Sequence, residues 1–208
     1  RAQFGVVGLR TVHELRGIAC LPLDDCPAPK QSITVSRSFG EPVTALADMR
    51  EAVATYMSRA AEKLREERLA AGALTVYLTT NPFNDAPQYS NAVTVELPIA
   101  TDSTMELLHH ALELLSRLWR EGYRYKKAGV LLTALVPAAE VQASLFDHED
   151  RARQHRLSTM LDRLNAKLGS DTLRLGAVGR QQGWRAKAAY RSPAYTTKWE
   201  ELLAVKAS

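Results

Sequence analysis

The chain has 208 residues, 46% of them hydrophobic and 24% charged, and a formal net charge of +4. This size and composition suffice for a hydrophobic core without disulfide or metal support. No apolar run approaches the roughly 18 residues that span a membrane, and no secretory signal is visible, so a membrane protein is not expected. Two cysteines, Cys20 and Cys26, provide no disulfide framework and favour a cytoplasmic protein with reduced thiols.

The first thirty residues predict the end of a helix and a connection. Within residues 1–17, Val7, Val12 and Leu15 have helical spacing, and Gly17 is a stop signal. Residues 18–29 contain three prolines and are predicted to be a linker. Because the first residue is Arg1 rather than Met, we expect this chain to be the C-terminal piece of a longer protein.

The most regular pattern in the chain lies in residues 30–40, KQSITVSRSFG. Small polar residues alternate strictly with larger ones, which predicts a half-buried strand. Its polar face carries four hydroxyls, those of Ser32, Thr34, Ser36 and Ser38. Small hydroxyls let a phosphate backbone approach closely and hydrogen-bond to it. The alternative is an exposed strand that simply tolerates Ser and Thr.

Two helices and three more strands are predicted before residue 137. Apolar periodicity predicts helices over 48–68 and 103–121 and strands over 73–80, 91–98 and 126–136. The order strand, helix, strand, strand, helix, strand is the split βαβ arrangement, and right-handed crossovers place both helices on one sheet face. We therefore predict an α+β fold with a four-stranded sheet, two helices on one face, an open second face, and a mostly helical or irregular C-terminal extension.

The open sheet face is predicted to bind a DNA backbone. Its side chains are mainly hydroxyls with cations at the rim, a composition that suits phosphate contacts rather than base reading. The predicted DNA-binding residues are Lys30, Ser32, Thr34, Ser36, Arg37, Ser38, Thr75, Tyr77, Thr79, Arg124, Lys126 and Lys127. Strict alternation directs Arg37 towards the helices, so this prediction requires it to lean outwards at the strand end.

The composition changes after residue 137. Residues 138–150 form a polar linker with one apolar pair, Leu145-Phe146, which is costly to expose unless it docks into a partner. Residues 151–208 begin with an amphipathic helix over 151–168. Further on, aromatic residues such as Trp184 are interleaved with basic ones, which suits single-stranded nucleic acid or a protein partner.

No self-contained active site emerges from the sequence. The adjacent carboxylates Asp24-Asp25 and Glu149-Asp150 lie in predicted linkers, and no Asp or Glu lies inside a predicted buried strand. The cysteine spacing does not match a zinc site, and the C-terminal glycines do not match a phosphate loop. We therefore expect no catalytic residue, metal or cofactor in this chain.

Several stretches together resemble the C-terminal part of the UmuC proteins, Y-family translesion polymerases that are the catalytic subunits of bacterial DNA polymerase V. The stretches are SITVSRSFGEPVT, AAEKLR, GYRYKKAGVLL, QASLFD and GWRAKAAYRSPAYTTKWEELL. By this resemblance, residues 1–17 are the end of the thumb, 30–137 the little finger, and 151–208 the UmuC-type extension. The linker 138–150 then holds a clamp-binding motif, with Gln142, Leu145 and Phe146 as its contact residues.

The resemblance also implies a function for the longer protein. It would be an error-prone nucleotidyltransferase of the SOS response that uses Mg²⁺, with its catalytic palm upstream, so this chain alone would be inactive. The implied partners are damaged primer–template DNA, a sliding clamp, UmuD′ and RecA. The alternative is a stand-alone module that binds the clamp or RecA without polymerising. The sequence directly upstream of Arg1 would distinguish the two, because only a polymerase would have palm carboxylates there.

Overall fold

The computed structural model describes residues 4–21, 28–142, 144, 147, 150–179, 182–185 and 192–203. They belong to two compact units, Arg1–Lys30 and Gln31–Ser208. The first unit contains helix α1 (Gly5–Leu15), and Gly17 turns the chain after it with a φ of +77°. Val7 and Leu15 are exposed on this helix, so its apolar residues are not buried within their own unit.

The second unit is a four-stranded antiparallel sheet with two helices on one face. Its elements are β1 (Ile33–Val43), α2 (Leu46–Glu66), β2 (Leu69–Thr80), β3 (Ser90–Thr101), α3 (Thr104–Leu118), β4 (Tyr125–Pro137) and α4 (Arg151–Leu168). The strands lie in the order β1-β4-β2-β3, and each neighbouring pair is antiparallel. The predicted α+β fold is confirmed.

The core lies between the sheet and helices α2 and α3. Alternate strand residues face the helices, among them Leu74, Val76 and Leu78 of β2 and Val130 and Leu132 of β4, all fully buried. The helices contribute Met49, Val53, Met57, Leu64, Leu107, Leu114, Leu115 and Leu118. Each side chain of this size contributes about 1.5–3 kcal/mol when buried. Because burial holds these residues against the helices, the alternation of the strands directs their neighbours to the other face of the sheet.

An aromatic cluster fixes where β4 enters the sheet. Tyr125 is fully buried, and its hydroxyl accepts from the Arg120 N–H and donates to the Arg120 carbonyl, both at 3.1 Å. The rings of Trp119 and Tyr89 pack against it at centroid distances of 4.9 and 5.8 Å. Burial raises the pKa of Tyr125. This anchor holds the start of β4, where Tyr125 lies opposite Val43 and Thr80, and the register of the sheet shifts between Tyr125 and Lys127.

Helix α4 packs on the domain through Arg65 of α2, whose side chain is only 7% exposed. Its guanidinium donates from Nε and Nη2 to the two carboxylate oxygens of Asp162, at 2.6 and 2.8 Å. It also donates to the Asp102 carbonyl and to the Thr104 hydroxyl, at 2.7 and 2.9 Å. One side chain therefore joins α2, α3 and α4, and the helix assigned to the extension lies in the same compact unit as the sheet.

Candidate nucleic-acid interface

The sheet face away from the helices carries three rows of residues that run across all four strands. The strand register gives the rows Thr34–Leu131–Thr75–Thr94, Ser36–Gly129–Tyr77–Ala92 and Ser38–Lys127–Thr79–Ser90. We call these residues the open face. The face presents mainly hydroxyls and small side chains, and Lys127 supplies a positive charge in the third row.

A close contact forms the centre of the open face. A Cβ atom added to Gly129 would lie 2.4 Å from Cζ of Tyr77 and 2.6 Å from Cβ of Ser36. The Tyr77 ring therefore lies over Gly129 and reaches towards β1, an approach that only glycine permits. In the row beside it, the Thr75 and Thr94 hydroxyls are hydrogen-bonded at 2.7 Å. The result is a low surface on which a sugar–phosphate backbone would meet hydroxyls and one phenol ring.

The structure brings most of the predicted DNA-binding residues to this face. They are Thr34, Ser36, Ser38, Thr75, Tyr77, Thr79 and Lys127. Ser32 and Arg124 are exposed and directly precede β1 and β4. Lys30 is exposed and is the last residue of the first compact unit.

Two of the predicted rim cations do not belong to the open face. Arg37 lies opposite Ala128, in the row that faces the helices, and lines a cleft with Tyr56 and Trp184. The alternation of faces thus holds through Arg37 to the buried Phe39, and Arg37 does not lean outwards. Lys126 donates from Nζ to the carbonyls of Phe39 and Gly40, at 2.7 and 3.3 Å. Its charge is therefore directed at the backbone of β1.

Trp184 is the residue whose role the sequence did not indicate. It is only 5% exposed, and its ring packs edge-on against Phe39 and Tyr56 at centroid distances of 6.1 and 5.6 Å. Its carbonyl accepts a hydrogen bond from the Gly40 N–H at 3.3 Å. Trp184 therefore anchors the C-terminal region to the domain and is not available to stack on a nucleic-acid base, as its basic neighbours had suggested.

The predicted clamp motif begins in an exposed connection between β4 and α4. Gln142 and Ser144 are exposed just after a short 3₁₀ turn, Ala138–Glu140. Leu145 and Phe146 lie outside the described residues. Their docking role therefore stays a prediction from the sequence.

Within the described ranges, no group of three or more His, Cys, Asp or Glu side chains is placed to hold a metal ion. In the same part of the chain, every helix is too short or too polar to cross a membrane.

The residues that form the sheet domain match a known family of domains. The C-terminal domain of the impB/mucB/samB family matches residues 30–145, more than half of the chain, so the chain belongs to this family. A domain of unknown function, DUF4113, matches residues 155–205.

Among curated relatives, the chain is 42% identical to Protein UmuC of Salmonella typhimurium over 208 residues, 99% of this chain and 49% of that protein. The resemblance to UmuC inferred from the sequence is confirmed. The chain is also 31% identical over 170 residues to DNA polymerase IV of Moorella thermoacetica, covering 80% of this chain and 40% of that protein. It spans about half the length of the UmuC protein that it matches.

A solved structure also resembles the chain. It is described as a complex of beta-clamp processivity factor and the little finger domain of PolIV. The TM-score is 0.37 and the identity 17%, over 56% of this chain and 99% of that chain.

Proposed function

We propose that this chain grips DNA and docks on a sliding clamp as the C-terminal part of an error-prone translesion DNA polymerase. The observation that carries the proposal is the open face, where the strand register aligns hydroxyls with Lys127 around the Tyr77 ring. Membership of the impB/mucB/samB family supports it. The longer protein would act in the bacterial cytoplasm during the SOS response, with Mg²⁺-dependent catalysis outside this chain.

The chemistry of the open face suits a duplex backbone of any sequence. Hydroxyls and a lysine ammonium hydrogen-bond phosphate oxygens, which position a protein on DNA without reading bases. Bidentate base reading in the major groove relies on Arg, Lys, Asn and Gln. Of these residue types, the three rows of the open face contain a single Lys, Lys127. We therefore expect affinity for primer–template DNA without sequence preference.

Salt dependence of DNA binding tests this assignment. Each phosphate neutralised by the protein contributes roughly −0.9 to the slope of log K against log salt concentration. Replacing Lys127 by Ala should therefore make the slope for a short duplex shallower by about 0.9. The matched control is Arg50→Ala, which removes an exposed cation of α2 beside His109 and Glu113 on the helix layer. An equal change of slope in both variants, or an unchanged slope in Lys127→Ala, would show that the open face does not bind the DNA backbone.

The linker after β4 would bind a protein partner of its own. Gln142, Leu145 and Phe146 would bind the sliding clamp, and Gln142 lies in an exposed connection suited to that task. By the same resemblance, UmuD′ and RecA would be further partners. A short peptide with two apolar anchors supports only a modest affinity, roughly micromolar. The contact with the clamp would therefore be readily reversible.

A further inference from the structure

A cleft of about 420 Å³ lies between β1, α2 and the segment that contains Trp184. Its lining includes Arg37, Tyr56, Arg59, Lys63, Trp184 and Arg185. Four of these six residues are cations, and the lining contains no carboxylate among the residues that the structure describes. We call it the Arg37 cleft. Arg37 belongs to the row that faces the helices, and Ser38 is the one residue that the lining shares with the open face.

The positive charge of the Arg37 cleft is only partly compensated. Arg59 forms ion pairs with Glu62 and Asp171, at 2.8 and 2.9 Å. Arg185 approaches Asp171 at 3.5 Å, and its guanidinium lies 6.0 Å from the centre of the Trp184 ring. The side chains of Arg37 and Lys63 make no hydrogen bond or ion pair with any residue that the structure describes. An excess of positive charge therefore faces the cleft.

Two polar groups in the lining are buried without a partner. Tyr56 is 3% exposed and Trp184 is 5% exposed. Neither the Tyr56 hydroxyl nor the Trp184 Nε1–H has a hydrogen-bond partner among the described residues. Burial raises the pKa of Tyr56, against the opposing effect of Arg37 and Arg185, so its hydroxyl remains a donor at neutral pH. Unpaired buried donors are costly and rare in folded proteins, and two of them in one cleft indicate a ligand rich in acceptors.

We propose that the Arg37 cleft binds a phosphate group, held by the Arg37 and Lys63 cations with Tyr56 and Trp184 supplying further donors. Phosphate offers several acceptor oxygens and suits the planar fork of an arginine. The cleft volume of about 420 Å³ admits a pyrophosphate or one nucleotide unit. The phosphate belongs either to a small free ligand or to a nucleic-acid strand that passes the edge of the domain at β1. This site does not depend on DNA binding at the open face.

Calorimetric titration of the full chain at constant ionic strength tests the site with two probes, inorganic pyrophosphate and a 5′-phosphorylated oligothymidylate. We expect pyrophosphate to bind and Arg37→Ala to weaken it about tenfold or more, as for loss of a charge-assisted hydrogen bond. The matched control Arg50→Ala should leave pyrophosphate binding unchanged. Competition between the probes would identify a strand phosphate, and binding of pyrophosphate alone a free ligand.

A second variant keeps the test decisive if Arg37→Ala does not fold. Tyr56→Phe removes a hydroxyl that has no described partner, so it should keep or slightly raise thermal stability while weakening pyrophosphate binding about tenfold. If Tyr56 had only a structural role, Tyr56→Phe would instead lower thermal stability and leave pyrophosphate binding unchanged. The proposal is overturned if pyrophosphate and the oligonucleotide bind equally well to the wild type and to both variants. It is also overturned if neither phosphate probe binds to the wild type.

Discussion

Replacing Asp162 by Ala is expected to release helix α4 from the domain while the sheet stays folded. The Arg65 guanidinium is only 7% exposed and would lose two of its four acceptor contacts. Removing one partner of a fully buried ion pair costs about 3–5 kcal/mol. Asp162 is 28% exposed, so we expect a smaller loss of about 2–3 kcal/mol here.

Native-state hydrogen exchange measures this loss directly. The opening free energy of the α4 amides should fall, while amides of the central strands β2 and β4 should change little. Glu113→Ala is the control, because Glu113 is half-exposed and its histidine pairs lie on the surface; such pairs contribute about 0–1 kcal/mol. The double variant Arg65→Met, Asp162→Leu should recover much of the α4 protection. Unchanged α4 exchange in Asp162→Ala would show that Arg65 does not hold this helix.

Loss of clamp binding is the second large effect that we expect. In the double variant Leu145→Ala, Phe146→Ala, both apolar anchors of the proposed clamp motif are removed. Anchors that fill a partner's pocket each contribute about 2 kcal/mol or more, so binding to the purified sliding clamp should weaken by at least about a hundredfold. Surface-immobilised clamp and the soluble full chain give the affinity.

The matched control removes the same two residue types elsewhere. Phe83 is 94% exposed in the β2–β3 connection, and Leu168 is 60% exposed at the end of α4. The double variant Phe83→Ala, Leu168→Ala should bind the clamp like the wild type. If the Leu145, Phe146 variant instead binds normally, or loses thermal stability with no change in clamp affinity, the pair is part of the domain's own packing.

The faces of the sheet could be predicted from the sequence because one face is buried. Burial forces the period-two pattern of residues 30–40, and the observed register places Ser36 and Ser38 on the open face and Phe39 in the core. The same physics places Arg37 with the helices. The prediction that Arg37 leans outwards gave more weight to its charge than to the alternation of the strand. On the side of the helices, Arg37 lines a polar cleft.

The boundaries of β2 were harder to predict because tertiary pairing overrides local preference. The stretch Ala70–Ala73 is rich in Ala and contains Gly, neither of which favours strands. It is nevertheless paired with β4, with Ala70 opposite Val136 and Ala71 opposite Leu135. The preceding helix ends early because Arg68 adopts a φ of +56°. No local sequence pattern predicts the pairing of residues 70–73 with β4 or the early end of the helix.

The anchoring of the C-terminal region was not predictable from periodicity. Trp184 lies in an irregular segment, and its contacts with Phe39 and Tyr56 join residues more than a hundred positions apart. The helix 151–168 could be predicted from its apolar stripe and was found at the same bounds. Its attachment through Arg65 and Asp162 could not, because the pair joins residues 97 positions apart.

The most direct test of DNA binding by the open face is a map of the contact surface on the ¹⁵N-labelled full chain. Primer–template DNA is titrated in, and the amide shifts are followed by NMR. We predict that the largest shifts fall in the three rows of the open face, at residues such as Ser36, Tyr77 and Lys127, and that Arg50 and His109 on the helix layer shift little. Shifts concentrated on helices α2 and α3, with the open face unchanged, would contradict the proposal that this sheet grips DNA.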